Sequence, residues 1–221
     1  MSIADRLDGI RSTLPNGVRL VAVSKFHPIE SIVEAYDAGQ RLFGESRVQE
    51  LLNKQPVLPN DIEWHFIGHL QTNKVKHVAP FVALIHGVDS EGLLAEINKQ
   101  GEKCGRVIRC LIQVHIAREE TKFGFSVDEC RDLFASGLIA KYPFIEICGL
   151  MGMATFTDNI TQIKEEFGTL SSLFTEIKTS CSKEFPHFTE LSMGMSDDYP
   201  IAVELGSTMV RVGSKIFGVR Q

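Results

Sequence analysis

Eight short apolar runs, rich in β-branched residues, recur along the chain at 18–26, 41–47, 63–68, 82–88, 107–116, 144–154, 188–195 and 209–217. Most of the gaps between them carry helical spacing. After the first run, Ile29, Ile32, Val33 and Tyr36 fall at i, i+3, i+4 and i+7, the apolar stripe of a helix packed on a sheet. Pro28 suits the first turn of that helix and Gly39 its C-terminal stop. Val48, Leu51 and Leu52 repeat the spacing after the second run, and Leu93, Leu94 and Ile97 after the fourth. Ser126 with Glu129 forms a capping box that opens a helix after the fifth. Ile160, Ile163, Phe167, Leu170, Phe174 and Ile177 trace the longest helix, and residues 2–13 read as an extra helix before the first strand.

Strand and helix alternation of this kind calls for parallel strands joined by right-handed crossovers, with helices on the outside. The runs are apolar on both faces, as parallel strands are, and no Pro/Gly/Ser-rich linker divides the chain. Eight units therefore predict an α/β fold, a (β/α)8 TIM barrel with an extra N-terminal helix, forming a single domain over 1–221. A doubly wound open sheet is the alternative. It usually needs fewer strands and often places a glycine-rich phosphate turn after the first, where this chain has SKFHP.

The net charge of -5 is spread without long runs of one sign, so the chain shows no footprint for nucleic acid or an anionic membrane. A small-molecule ligand is expected instead. The N-terminus lacks the apolar core of a secretory signal, and stretches such as ALI at 83–85 and CLI at 110–112 fall far short of the roughly 20 residues that span a bilayer. Five cysteines, an odd set without a CxxC pair, fit a reducing cytoplasm. None of the seven histidines sits in HExxH or a Cys/His cluster with ligand spacing, so no metal site is expected.

In a barrel of this type the residues just beyond the C-terminal strand ends converge on one pocket. Lys25 stands at such an end. Burial there would disfavour its ammonium form, and a neutral lysine can form a Schiff base with a carbonyl. Phosphate sites in such barrels often lie in the loops after strands seven and eight. Here these read LSMGMSDDYP and MVRVGSKIFG, with Gly194 and Gly213 for close backbone approach and the hydroxyls of Ser196 and Ser214. A helix starting near Asp198 and Pro200 adds N–H groups. Arg211, a charge inside an apolar run, needs a partner and is expected to point inward. Together these residues describe a site for pyridoxal 5'-phosphate, which by spacing alone is one ligand among several.

The motifs LVAVSKFHP, FGESRVQE, EWHFIGHLQTNK, KFGF, GLMGMATF, LSMGMSDD and STMVRVGSKIFG, in this order, resemble those of the YggS-like pyridoxal phosphate homeostasis proteins. The likeness runs from about residue 18 to 218. It implies a barrel like the N-terminal domain of alanine racemase, with an open, solvent-exposed cofactor at its mouth. Lys25 matches the lysine of the internal aldimine, Arg211 the arginine near the pyridine nitrogen, and Ser196, Gly213 and Ser214 the phosphate contacts. Ser46, in FGES, replaces an asparagine near the cofactor. Ser214 stands where threonine is frequent and keeps the hydroxyl. Met195 is a further candidate, through its backbone, while Met151, Met153 and Met193 read as packing around the mouth. His65 reads as a hydrogen-bonded wall residue, His69 as reaching the pocket rim, and Asn73 and Lys74 as loop or first-turn residues that are either solvated or in contact with a bound anion.

The implied role is intracellular homeostasis of the cofactor, by buffering or delivery, with apo enzymes that use it as candidate recipients and a monomer or weak dimer as the form. The alternative is an amino-acid racemase or related enzyme of weak activity. A racemase needs an acid/base group on each face of its substrate, and the resembled racemases draw the second from a C-terminal domain, whereas this sequence ends at Gln221. An arginine beside the pyridine nitrogen would also weaken the ring as an electron sink.

Overall fold

The computed structural model describes residues 1–119 and 123–218. Helix α1 (Ile3–Arg11) comes first, then strands and helices alternate: β1 (Arg19–Val23), α2 (Ile29–Asp37), β2 (Leu42–Glu45), α3 (Val48–Lys54), β3 (Glu63–Phe66), α4 (Val75–Val78), β4 (Leu84–Val88) and α5 (Glu91–Cys104). The second half runs β5 (Ile108–Gln113), α6 (Val127–Ala135), β6 (Ile145–Met151), α7 (Ile160–Ser180), β7 (Glu190–Ser192), α8 (Tyr199–Glu204), β8 (Met209–Val212) and α9 (Ser214–Phe217). All strands are parallel and follow chain order around a closed barrel. The ring shuts where β1 pairs with β8, Arg19 opposite Met209 and Val21 opposite Arg211. This is the (β/α)8 barrel that the alternation predicts.

Local chemistry sets the helix ends. Ser2 and Asp5 close a capping box on α1, as Ser126 and Glu129 do on α6. Gly105, at φ 62°, ends α5 in a left-handed conformation that costs glycine nothing. Pro28 lies one residue earlier than expected, as the cap of α2 rather than in its first turn. The extra helix is shorter than the predicted 2–13, because Ser2 serves as its cap and Ser12 ends it.

The predicted strands overrun the observed ones, most at the C-terminal ends. The first stops at Val23, and the eighth at Val212, so that 214–217 of the predicted strand is helix α9. Apolar character reports burial, and the residues beyond each strand are buried by folding back over the barrel mouth, not by extension. Ile160 departs from the stripe of α7 and is 57% exposed, while Ile163, Phe167, Leu170, Phe174 and Ile177 are buried.

Two shells of core result. Side chains on one face of each strand, such as Leu20, Phe43, Phe66, Ile85 and Val210, pack with the helices. The alternating residues fill the barrel, where Val21, Leu84, Leu111, Cys148, Met151 and Met209 form a small apolar cluster. Phe167 anchors α7 in the outer shell with its side chain fully buried. Phe167→Ala should cost about 3–5 kcal/mol, read as a lower urea midpoint at unchanged slope. A loss below about 1 kcal/mol would show that the ring does not hold α7 to the sheet.

Candidate cofactor site

A cavity of about 690 Å³ opens at the C-terminal ends of the strands, lined by Val23 at the end of β1 and Lys25 and His27 beyond it, by 153–158 after β6, by Met195–Asp198 after β7, and by Arg211, Gly213 and Ser214 of β8 and its loop. Six of the seven predicted site residues (Lys25, Met195, Ser196, Arg211, Gly213 and Ser214) thus line one space. Ser46 does not. It follows β2 with its backbone packed under Gly68, where a Cβ would sit 2.4 Å from the Ser46 carbonyl oxygen.

The two loops after β7 and β8 are tied together. The Gly213 N–H donates to Ser196 Oγ at 3.3 Å, and the Arg211 N–H to the Gly194 carbonyl at 3.0 Å. Gly194 has φ 93°, and a Cβ there would lie 2.6 Å from that of Ala202, so glycine lets α8 pack down on the loop. The Met195 N–H is taken by Asp198 Oδ1, and its carbonyl accepts from the Tyr199 N–H. Both backbone groups of Met195 are therefore already engaged.

Arg211 points inward, as its place in an apolar run predicts, and is 4% exposed. Its guanidinium donates to the carbonyls of Ser192 (2.9 Å) and Gly152 (3.1 Å) and to Ser192 Oγ. Burial lowers its pKa to about 10, which leaves it charged at neutral pH. From Ser192 a polar chain runs on through the barrel. His86 Nδ1 lies 3.0 Å from Ser192 Oγ, and His86 Nε2 lies 2.9 Å from His65 Nδ1. Ser192 Oγ accepts from Arg211 and is within hydrogen-bond reach of His86 Nδ1, and a single proton shared along the line between His86 Nε2 and His65 Nδ1 joins the two rings. Burial, and then the charges of Arg19 and Arg109, push the pKa of His65 down to about 3. His86 is pushed well below its ordinary value, first by burial and then by His65, Arg211 and Arg19.

His65 is thus hydrogen-bonded, as the sequence predicts, but it is buried in the barrel and does not line the cavity. His69 is not at the cavity: it is exposed, 2.7 Å from Asp89 Oδ2, and stacked on Phe123. Asn73 and Lys74 lie exposed in a single 3-10 turn, and Lys122 of the KFGF motif lies outside the described residues. Sequence reasoning passed over His27, Thr155 and Asp158 in the cavity wall, and Ser192 and His86 beneath it. His86 carried a usable signal, a polar residue in the middle of the apolar run LIHGV. Among the described residues no three His, Cys, Asp or Glu side chains gather as metal ligands, and no helix is long and apolar enough to cross a membrane.

The family model for the alanine racemase N-terminal domain matches residues 1–221. The chain belongs to this family. Within it, the chain is 40% identical over 207 residues to the pyridoxal phosphate homeostasis protein of Aquifex aeolicus, covering 93% of this chain and 89% of that one. It is also 40% identical to the protein of the same name from Schizosaccharomyces pombe, covering 97% and 91%. Among solved structures, PipY of Synechococcus elongatus without PLP superposes with a TM-score of 0.91 at 37% identity, covering 98% of this chain and all of that one. The same protein with PLP bound gives 0.87 at 36%, again covering 98% and 100%. Alanine racemase of Streptomyces lavendulae gives 0.78 at 16% identity over 98% of this chain and 56% of its own, a likeness of fold alone.

The neutral histidine pair has a consequence for stability. Unfolded histidines take up protons below about pH 6.5, whereas folded His65 resists until about pH 3 and His86 also stays neutral well below 6.5. The stability they allow is intact above pH 6.5 and falls as pH drops through that window, by up to about 1.4 kcal/mol per pH unit for each ring. Urea titrations at pH 7 and pH 5 should therefore show a smaller acid loss in His65→Gln than in the parent protein. Equal losses would refute the neutral pair.

Proposed function

We propose that the protein binds pyridoxal 5'-phosphate at the barrel mouth and serves its intracellular homeostasis, holding the cofactor covalently on Lys25 and buffering or delivering it. The reading is carried by the convergence of Lys25, Arg211 and the Ser196/Gly213/Ser214 loops on one cavity. It is supported by relatives named for this role and by a neighbour of 36% identity solved with PLP. The residues present fit the group: the space of about 690 Å³ falls within the range of small-molecule sites, and it offers an amine, a guanidinium and hydroxyls around an apolar wall of Val23, Ile67 and Met153.

When bound, the cofactor supplies an aldehyde that an amine can capture and a phosphate that accepts hydrogen bonds. Lys25 would offer the amine that holds the aldehyde carbon. Ser196 and Ser214 hydroxyls and the backbone around Gly213 would hold the phosphate. Arg211, locked by Ser192 and Gly152, would face the ring nitrogen with a donor and keep it unprotonated. That disfavours the ring's use as an electron sink and supports a carrier over an enzyme. The 16% identity to racemases gives no independent support for turnover.

Purified protein should take up the cofactor, and borohydride should fix it on Lys25. In Lys25→Ala the fixed label should vanish while the circular dichroism spectrum is kept. Failure of the parent protein to take up any cofactor would sink this reading. Incubation of the loaded protein with L-amino acids should yield neither D-isomers nor keto acids; turnover at ordinary enzymatic rates, on the order of 1 per second or faster, would make it an enzyme instead.

A further inference from the structure

Beneath the turn that carries Lys25 lies a buried charged cluster that no cavity contact requires. Glu45, the last residue of β2, is fully buried, and Lys54, in the last turn of α3, is 5% exposed. Lys54 Nζ donates to Glu45 Oε1 (2.8 Å), to Glu50 Oε1 (2.6 Å) and to the Ser24 carbonyl (2.9 Å). Ser24 Oγ donates to the same Glu45 oxygen at 2.6 Å. On the other side of Lys25, the Phe26 N–H donates to Glu50 Oε1 at 2.6 Å. Both peptide neighbours of Lys25 are therefore gripped by one ion-pair network.

Such a network is expensive to bury, and two details point to a task for it. Phe26 has φ 66°, a left-handed conformation unusual for a residue with a side chain, so the turn adopts it only because its surroundings impose it. The bond to Glu50, the Arg47 guanidinium 4.5 Å above the Phe26 ring, and the His27 N–H bond to the Ser24 carbonyl are among the contacts that hold it there. Glu45 Oε2 is buried without a hydrogen-bond partner and burial pushes the carboxyl's pKa up, so Glu45 is held through its other oxygen by the Lys54 ammonium and the Ser24 hydroxyl. The next residue, His27, stacks on Phe217 of α9 at 5.0 Å, linking the same turn to the helix that begins at Ser214.

We propose that Glu45, Glu50 and Lys54 are positioning residues for Lys25, fixing the backbone on both sides of it so that its amine meets a ligand carbonyl whose phosphate is held near Ser214. The proposal deepens the function proposed above and rests on it. Misplacing a reacting group by about 1 Å can cost on the order of a hundredfold in rate, so the benefit of such a clamp is kinetic.

Two variants and two readouts test it. Glu50→Ala removes the acceptor for the Phe26 N–H at a partly exposed position, and Lys54→Met removes the shared amine while keeping the stem. In the ligand-free protein, hydrogen exchange at the Phe26 amide should speed up about 10-fold or more in Glu50→Ala, with core amides unchanged. With pyridoxal phosphate, borohydride-trapped attachment to Lys25 should slow by about 10-fold in both variants, while the affinity for pyridoxine 5'-phosphate, which has no carbonyl, stays within about twofold. Parental attachment rates in a folded Glu50→Ala protein, or equal losses for both ligands, would overturn the positioning role. Should Lys54→Met fail to fold, Glu50→Ala decides alone. If the parent protein itself attaches no cofactor, the proposed function falls and this inference with it; if the parent attaches it and the variants match, only the positioning role falls.

Discussion

The hydrogen-bonded seam between β1 and β8 is the constraint on which the rest of the molecule depends. It sets Val21 opposite Arg211 and Ala22 opposite Val212, and so brings the first and last strands into one wall. Without closure, Lys25 and the loop at Gly213 and Ser214 would sit at opposite edges of a sheet, each exposed and neither useful. With closure they line one cavity, and the two edge strands no longer present unpaired backbone groups.

Closure also creates an interior, and here that interior is partly polar. A parallel barrel of this size is filled by side chains, most often branched aliphatic ones. In this chain Arg211, Ser192, His86 and His65 occupy part of that space as a single hydrogen-bonded chain, beside the small apolar cluster around Leu84 and Met209. A buried guanidinium is tolerable only when it is hydrogen-bonded, and the Ser192 and Gly152 carbonyls and Ser192 Oγ take three of its donors. The cavity floor is therefore tied by hydrogen bonds, while its rim carries exposed apolar residues such as Phe156 and Ile160. Such a floor and an open rim suit a site that must hold one face of a small molecule and leave the other accessible.

Much of this was legible before folding was considered, and the exceptions have physical causes. Arg211 could be read because a charge in a strand stands out against apolar neighbours, and Lys25 because it falls where a strand ends. Ser196 and Ser214 followed from loop composition beyond strands seven and eight. Ser46 could not be placed, because its distance from the cavity depends on how the backbone after β2 packs under Gly68. The cluster of Glu45, Glu50 and Lys54 was invisible for a related reason: each residue alone reads as an ordinary charge on a helix or strand end, and only their meeting beneath residues 24–26 gives them meaning. Strand limits were overrun because hydrophobicity marks what is buried without saying whether the backbone is extended.

By itself the sequence determined the alternation of elements, hence the parallel barrel, and the residue types that its mouth would carry, since both follow from local periodicity and from the punctuation of each run. Only the tertiary structure decided which of those residues share a space, which histidine faces which, and what holds the lysine turn in shape. Periodicity is a property of neighbours in the chain, while a site is a property of neighbours across the ring.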